Sequence, residues 1–252
     1  MTIETLDHAR ERLRPVVERA ESFSGWSGVP SPRPLGAEKP WSYSGRAREL
    51  LASATSVLDL GTGGGERFSR LLDGFVGRAV ATEEWAVNAP IAAAGLRGRA
   101  EVVRASAFYL PFLGASFGLI LSRHEAIYPA EIARLLAPGG VFLTQQTWRY
   151  MEELHYYIPR KTDFGDHFHG YASGLHASGL QVIDAREHVA PHAFSGLEDL
   201  VFLLGVAPWE VPDFDPLGRD LQALLALERD LTGPDGLVIT CGHYIIEAHK
   251  PV

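Results

Sequence analysis

The 252-residue sequence holds a single cysteine, Cys241. An intrachain disulfide and any cysteine-rich zinc site are therefore excluded. No stretch approaches the roughly 18 consecutive apolar residues of a membrane span, so no membrane association is expected. Positive charge is scarce: 23 Lys and Arg against 31 Asp and Glu leave a net charge of −8, with no basic block. That balance counts against a protein that tracks nucleic-acid phosphates. The opening run MTIETLDHARERLRP carries charge where a signal peptide needs an apolar core, so a cytoplasmic location is expected. What is present is 46% hydrophobic and 21% charged residues, the profile of a globular chain with one large core, or one core and a cap.

Residues 1–20 read as an amphipathic helix, with Leu6, Leu13, Val16 and Val17 on one face. The stretch 22–40 is rich in Ser, Gly and Pro, which resist helix and central strand. It also carries Phe23 and Trp26 and leads into Trp41 and Tyr43, so it is expected to pack on the body of the protein. From there short apolar strands (56–60, 78–82, 100–104, 117–121, 140–144) alternate with helices (46–52, 66–75, 88–95, 129–136). This alternation implies right-handed crossovers and a parallel sheet covered on both faces. A helix at 170–178, strands at 180–185 and 237–248, and helices at 197–204 and 217–230 complete the reading. Segments 149–169 and 191–234 interrupt the rhythm, and such insertions usually sit over the carboxyl ends of the strands.

The chemistry concentrates in VLDLGTGGGE, residues 57–66. An apolar strand ends near Asp59, and Gly61, Gly63 and Gly65 precede a helix. Glycine lets backbone approach a ligand closely, and the helix terminus offers free N–H donors. A nicotinamide site wants G-x-G-x-x-G, but here Glu66 stands at the last glycine position, where its carboxylate would repel a pyrophosphate. A cationic amino-acid sulfonium meets no such repulsion. Glu83, at the end of the next strand, could accept both ribose hydroxyls.

These features resemble the first two motifs of class I S-adenosylmethionine-dependent methyltransferases. ATEEWAVNAPIAA, ASAFYLPF, FGLILSRHEAIY and ARLLAPGGVFLTQQ continue the resemblance in order, over about Trp41 to Gln146. RHE, TQQ and the downstream PWEVPDF look like a bacterial subgroup of small-molecule methyltransferases. The resemblance implies a Rossmann-like, doubly wound α/β sheet of seven strands, the last antiparallel, with helical caps. It divides the chain into an N-terminal cap (1–45), a cofactor-binding core (46–190), an inserted cap (191–235) and a returning final strand (236–252), all in one structural domain. By the same resemblance Asp59, Leu60, Gly61, Thr62, Gly63 and Gly65 would hold the methionine end of S-adenosylmethionine. Glu83 and Glu84 would meet the ribose and adenine, and Ser106 and Ala107 the adenine edge. Many relatives have Asp at the Ser106 position, so a charge-assisted bond is missing there.

His124 and Glu125 follow the fourth strand. His124 suits a general base toward a protic acceptor, with Glu125 as its orienting partner or a substrate contact. Arg123 would pair with Glu125 or Glu84, or contact an anion. Trp41, Tyr43, Tyr128, Gln145, Gln146 and His243 are candidates for lining the acceptor site. His155, Asp163, Asp166, His167 and His169 are ligand types whose spacing matches no familiar metal site; a substrate lid is expected there. The expected activity is O- or N-methylation of a small molecule, by a monomer or homodimer. Methylation of RNA or protein, and a non-catalytic protein that only binds the cofactor, stand as alternatives.

Overall fold

The structure is a computed structural model describing residues 5–252; the first four residues of the expected N-terminal helix lie outside it. Helix α1 (Leu6–Glu21) is capped by Thr5, whose hydroxyl accepts from His8 N at 3.3 Å. A strap containing the two-residue strand β1 (Arg33–Pro34) leads to α2 (Tyr43–Leu51). The parallel set follows: β2 (Ser56–Leu60), α3 (Glu66–Leu71), β3 (Arg78–Thr82), α4 (Asn88–Gly95), β4 (Glu101–Val103), β5 (Phe117–Arg123), α5 (Pro129–Leu135) and β6 (Leu136–Trp148). The rest comprises α6 (Leu154–Tyr157), α7 (His167–Ala177), β7 (Gln181–Phe194), α8 (Leu197–Val206), α9 (Leu221–Leu231), β8 (Thr232–Gly233) and β9 (Gly236–His249).

The strands form one sheet in the order β1-β7-β9-β6-β5-β2-β3-β4, with β8 paired to β9. β4, β3, β2, β5 and β6 run parallel, and β9 lies antiparallel between β6 and β7. The seven expected strands are all present with the last antiparallel, and the short ribbons β1 and β8 raise the total to nine among the described residues. Strand order reverses between β2 and β5, so a crevice opens at their carboxyl ends, where ligands bind in such sheets.

The largest departure from the sequence reading is β7, which runs to Phe194 instead of ending near 185. Pro191 lies inside it because its carbonyl faces β1, accepting from Leu35 N at 2.9 Å. Its missing N–H therefore falls on the sheet's weakly paired side, where proline is tolerated.

Three apolar clusters hold the layers together. Leu58, Phe117, Phe142 and Leu175 lie on the α5/α7 face of the sheet, and Val57, Phe68, Leu121 and Ile245 on the α2/α3 face. The third cluster joins Leu13 of α1 to Leu200 and Leu204 of α8, Leu224 of α9 and the top of β7–β9. Arg12 ties the same helices together, at 2.7 Å to both Glu198 and Glu228. The N-terminal helix is thus a structural part of the cap.

Leu13→Ala should accordingly cost about 2–5 kcal/mol, the range for emptying a fully buried leucine site. Urea unfolding measures this; a change under about 0.5 kcal/mol, typical of surface sites, would show that α1 is only an appendage.

Candidate active site

The loop after β2 carries Gly61 at φ 61° and Gly63 at φ 63°, in the left-handed region that a Cβ makes costly. Space forbids a side chain too: a Cβ at Gly61 would strike the Glu125 carboxylate, and one at Gly63 the Trp26 ring. Glu83 fastens this loop to the end of β3, accepting from Gly63 N at 2.7 Å and Trp85 N at 2.9 Å. Asp59 is buried beside it. Burial raises its pKa to about 7; Thr62 and Arg67 oppose the rise and Glu83 adds to it.

Across the crevice, β5 ends in a sharp turn. His124 adopts φ 60°, and its N–H donates to Gln145 O at 3.0 Å. Non-glycine residues in this region are uncommon, His among the more tolerant, and they concentrate at functional sites. Gln146 Nε2 holds the turn from beneath, donating to Glu125 O and to Thr144 Oγ1, each at 2.8 Å. The turn separates the two expected catalytic neighbours. The His124 ring lies 6.0 Å from that of His243, whereas the Glu125 carboxylate rests on Gly61. No hydrogen bond joins His124 to Glu125 among the described residues, so Glu125 does not orient the imidazole. Nor, among the described residues, does Arg123 form an ion pair with Glu125 or Glu84; burial with nearby Arg67 lowers its pKa to about 10.

These two loops open into a cavity of about 1020 Å3, at the top of the roughly 300–1000 Å3 usual for small-molecule sites. Its mouth is crossed by the strap, residues 22–40. Gly25 N donates to Asn88 Oδ1 at 2.9 Å and Trp26 N to Glu66 Oε1 at 3.2 Å. Glu66 thus serves the strap. Trp26 and Trp85 both pack on Trp209, at 6.0 and 5.6 Å between centroids, so three distant segments meet over the opening. The far wall is the β7–β9 ladder, which presents His188, His192, Cys241 and His243, with Tyr150 packed 6.3 Å from His243.

Enclosure sets the charge states. Burial, then Arg123, His243 and Lys39, push His124 well below 6.5. Burial and Lys39 lower His243 to about 3. Both imidazoles are neutral at pH 7. Glu125 is raised to about 7, first by burial and then by Glu83 and Glu84.

Of the residues singled out from sequence, Trp26, Trp41, Tyr43, Asp59, Gly61, Thr62, Glu66, Glu83, Glu84, Arg123, His124, Glu125, Gln146, His167 and His243 line the cavity. The others lie outside its lining, for local reasons. Leu60 is in the sheet core, Gly63 sits under Trp26, and Gly65 at φ 82° starts α3 against Leu96. Ser106 Oγ accepts from Phe108 N within its own turn, and Ala107 is buried. Tyr128 meets Phe108 edge-to-face at 4.7 Å, and Gln145 accepts from Trp41 Nε1 at 3.0 Å. Asp166 and His169 bond each other at the start of α7. Among the described residues no group of three His, Cys, Asp or Glu is arranged for a metal, and no helix is long and apolar enough to cross a membrane. Lys39, Arg67, Tyr150, His188, His192 and Trp209 also line the cavity without having been singled out. The aromatic-rich strap and the two insertions, 149–169 and 191–234, signalled that these segments would pack here, without marking the individual side chains.

Residues 58–144 match the family described as Methyltransferase domain. Solved structures share the fold. One, a provisionally assigned methyltransferase from Bacillus halodurans C-125, is 18% identical with a TM-score of 0.57, covering 83% of this chain and 99% of that one. A protein of unknown function from Deinococcus radiodurans R1 is 17% identical with a TM-score of 0.62, covering 96% and 100%. Geranyl diphosphate methyltransferase, solved with S-adenosylmethionine, is 13% identical with a TM-score of 0.51, covering 83% and 85%. No curated protein matches the sequence.

The side chains fit that cofactor. Tyr43 Oη is buried with no hydrogen-bond partner, and its charged neighbours are Asp59, Arg123 and Arg67. An acid beside two guanidiniums and a free phenol suits an amino-acid zwitterion, the acid for its ammonium and the rest for its carboxylate.

Because Asp59 and Glu125 hold protons near pH 7, an ammonium ligand must displace them to bind. Affinity for S-adenosylhomocysteine should therefore rise from pH 6 to pH 8, by up to about tenfold per unit per group below its pKa. Calorimetry at the two pH values tests this; equal affinities in wild type, or a slope unchanged in Asp59→Asn, would refute it.

Proposed function

From a chain built around a class I S-adenosylmethionine-dependent methyltransferase domain, we propose an enzyme that methylates a small molecule, at oxygen or nitrogen, with His124 as general base toward a protic acceptor. The observation that carries the reading is the cavity, which runs past the glycine loop into a chamber walled by aromatic and imidazole side chains. A chamber walled in this way suits a small acceptor. The net charge of −8 also opposes RNA.

When bound, the cofactor supplies a methyl group on a sulfonium, already a strong electrophile. The protein's task is then alignment and exclusion of water. Asp59 and Glu125 receive the ammonium, Arg67, Arg123 and Tyr43 the carboxylate, and Glu83 with Glu84 the ribose side. Thr62 and the backbone of Leu60 to Gly65 complete that cradle, with Ser106 and Ala107 toward the adenine. Trp26, Trp85 and Trp209 close the mouth. On the acceptor side stand Trp41, Gln146 and His243, with Gln145 holding Trp41 in place. His124, neutral at pH 7, takes the proton released as an alcohol or phenol is methylated. Its left-handed backbone and its bond to Gln145 O hold the ring without a carboxylate partner.

With a protic acceptor, His124→Ala should lower kcat by about 10²–10⁴ while leaving S-adenosylhomocysteine affinity nearly unchanged. The acid limb of the wild-type rate profile should lie below pH 6.5 and vanish in the variant. A variant that turns over normally at all pH values would remove His124 from the chemistry. Methyl label from the cofactor should enter the small-molecule fraction of an extract; label confined to RNA or protein would overturn the choice of acceptor.

A further inference from the structure

Four cations line the cavity, Lys39, Arg67, Arg123 and the exposed Arg70, against only one anionic demand from the proposed cofactor. Arg67 is tied to Ser44 Oγ at 3.1 Å and feels Tyr43 and Asp59; Arg123 also feels Tyr43. Those two belong to the zwitterion end. Lys39 does not. Its surroundings are the charged Arg123 and Arg67 and the Cys241 thiol, which burial keeps protonated, and it acts in turn on His124, His192 and His243. It makes no hydrogen bond or ion pair among the described residues. By contrast Lys161, outside the cavity lining, has its carboxylate in the lining residue Glu210, at 3.4 Å.

Lys39 is also placed deliberately by the backbone on either side of it. His188 Nε2 bonds Ala37 O at 3.2 Å, and Arg186 donates to Pro40 O at 3.1 Å. The strap is thus pinned to β7 on both flanks of the lysine, which lines the cavity. An ammonium half-removed from water with no counter-charge is costly to hold. Beside it, His243 carries a buried Nδ1 with no partner, and a neutral imidazole always has one N–H to donate. His192 spends its Nδ1 on Ala190 O at 3.0 Å, which leaves His243 as the free donor.

We propose that Lys39, with His243 as neutral donor, binds an anionic group (a carboxylate or a phosphate) of the methyl acceptor. The acceptor is then an anion with an apolar or aromatic body, its reacting atom at His124 and its charge at Lys39. This deepens the methyltransferase reading and rests on it.

The test loads the 252-residue protein with S-adenosylhomocysteine, which fills the zwitterion end, and titrates it by calorimetry with benzoate, inorganic phosphate and benzamide, the neutral isostere of benzoate. At least one anion should bind about tenfold more tightly than benzamide. Benzoate binding would indicate a carboxylate acceptor, and phosphate binding a phosphorylated one. Lys39→Gln should abolish the preference and Lys39→Arg should keep it, each with S-adenosylhomocysteine affinity within about twofold of wild type. The proposal is overturned if neither anion binds the loaded wild type, or if benzamide binds as tightly as the better anion. It also falls if Lys39→Gln weakens S-adenosylhomocysteine itself about tenfold, which would give the lysine to the cofactor. Wild-type protein that does not take up S-adenosylhomocysteine would instead overturn the underlying reading, and does so at the loading step.

Discussion

The antiparallel ladder between β7 and β9 is the interaction on which the rest of the molecule depends. Each strand is 14 residues long, against 7 for β5, so the ladder overhangs the edge where the parallel strands stop. Paired residues in an antiparallel ladder share a face. Phe194 with Leu237 and Ala190 with Cys241 alternate with the outward-facing positions, and His192 with Ile239 and His188 with His243 fall on that same face. Its upper part meets the cap helices and its lower part walls the cavity. One strand pair therefore supplies both the floor on which the cap packs and the side of the reaction chamber. The strap adds to it through β1, which pairs Arg33 and Pro34 with Ala193 and His192.

The chamber is electrostatically sorted. Acids gather where β2, β3 and β5 end, with Arg67 and Arg123 beside them, and Lys39 stands with the neutral imidazoles toward the ladder. Such an arrangement stores free energy against folding: a left-handed histidine, buried carboxyls raised toward neutrality, a phenol without a partner. The apolar clusters on both sheet faces and in the cap offset this cost, which is why the strained groups are confined to one edge of an otherwise closely packed sheet.

Much of the fold was legible in the sequence because its parallel strands are short, apolar and bounded by turn residues. Ser56–Leu60, Arg78–Thr82 and Asn88–Gly95 have the bounds read from the sequence. The upper half of β7 was hidden because Arg186, Glu187, His188 and Pro191 break the apolar pattern; its burial comes from the strap and cap, elements distant in sequence. The site divides the same way. Asp59, Glu83 and His124 follow directly from strand ends, since a strand end fixes where a side chain emerges. Lys39, His192 and Trp209 reach the cavity only through tertiary contacts of the strap, the long ladder and the cap. The pairing of His124 with Glu125 failed because sequence adjacency carries no information about a left-handed turn between them.

The cap cluster joins Ala9 and Leu13 to Leu197, Leu224 and Leu237, contacts that span most of the chain. Contacts of such separation have a high loop-closure entropy and form late. The β2–β6 region, with mostly neighbouring partners, can assemble first as a sheet bearing the glycine loop and the His124 turn but no ceiling. The chamber is complete only where α1, the cap helices and the ladder pack together. The two halves of the site thus rest on different kinds of contact: the acid-lined edge on local ones, and the enclosure that excludes water on non-local ones.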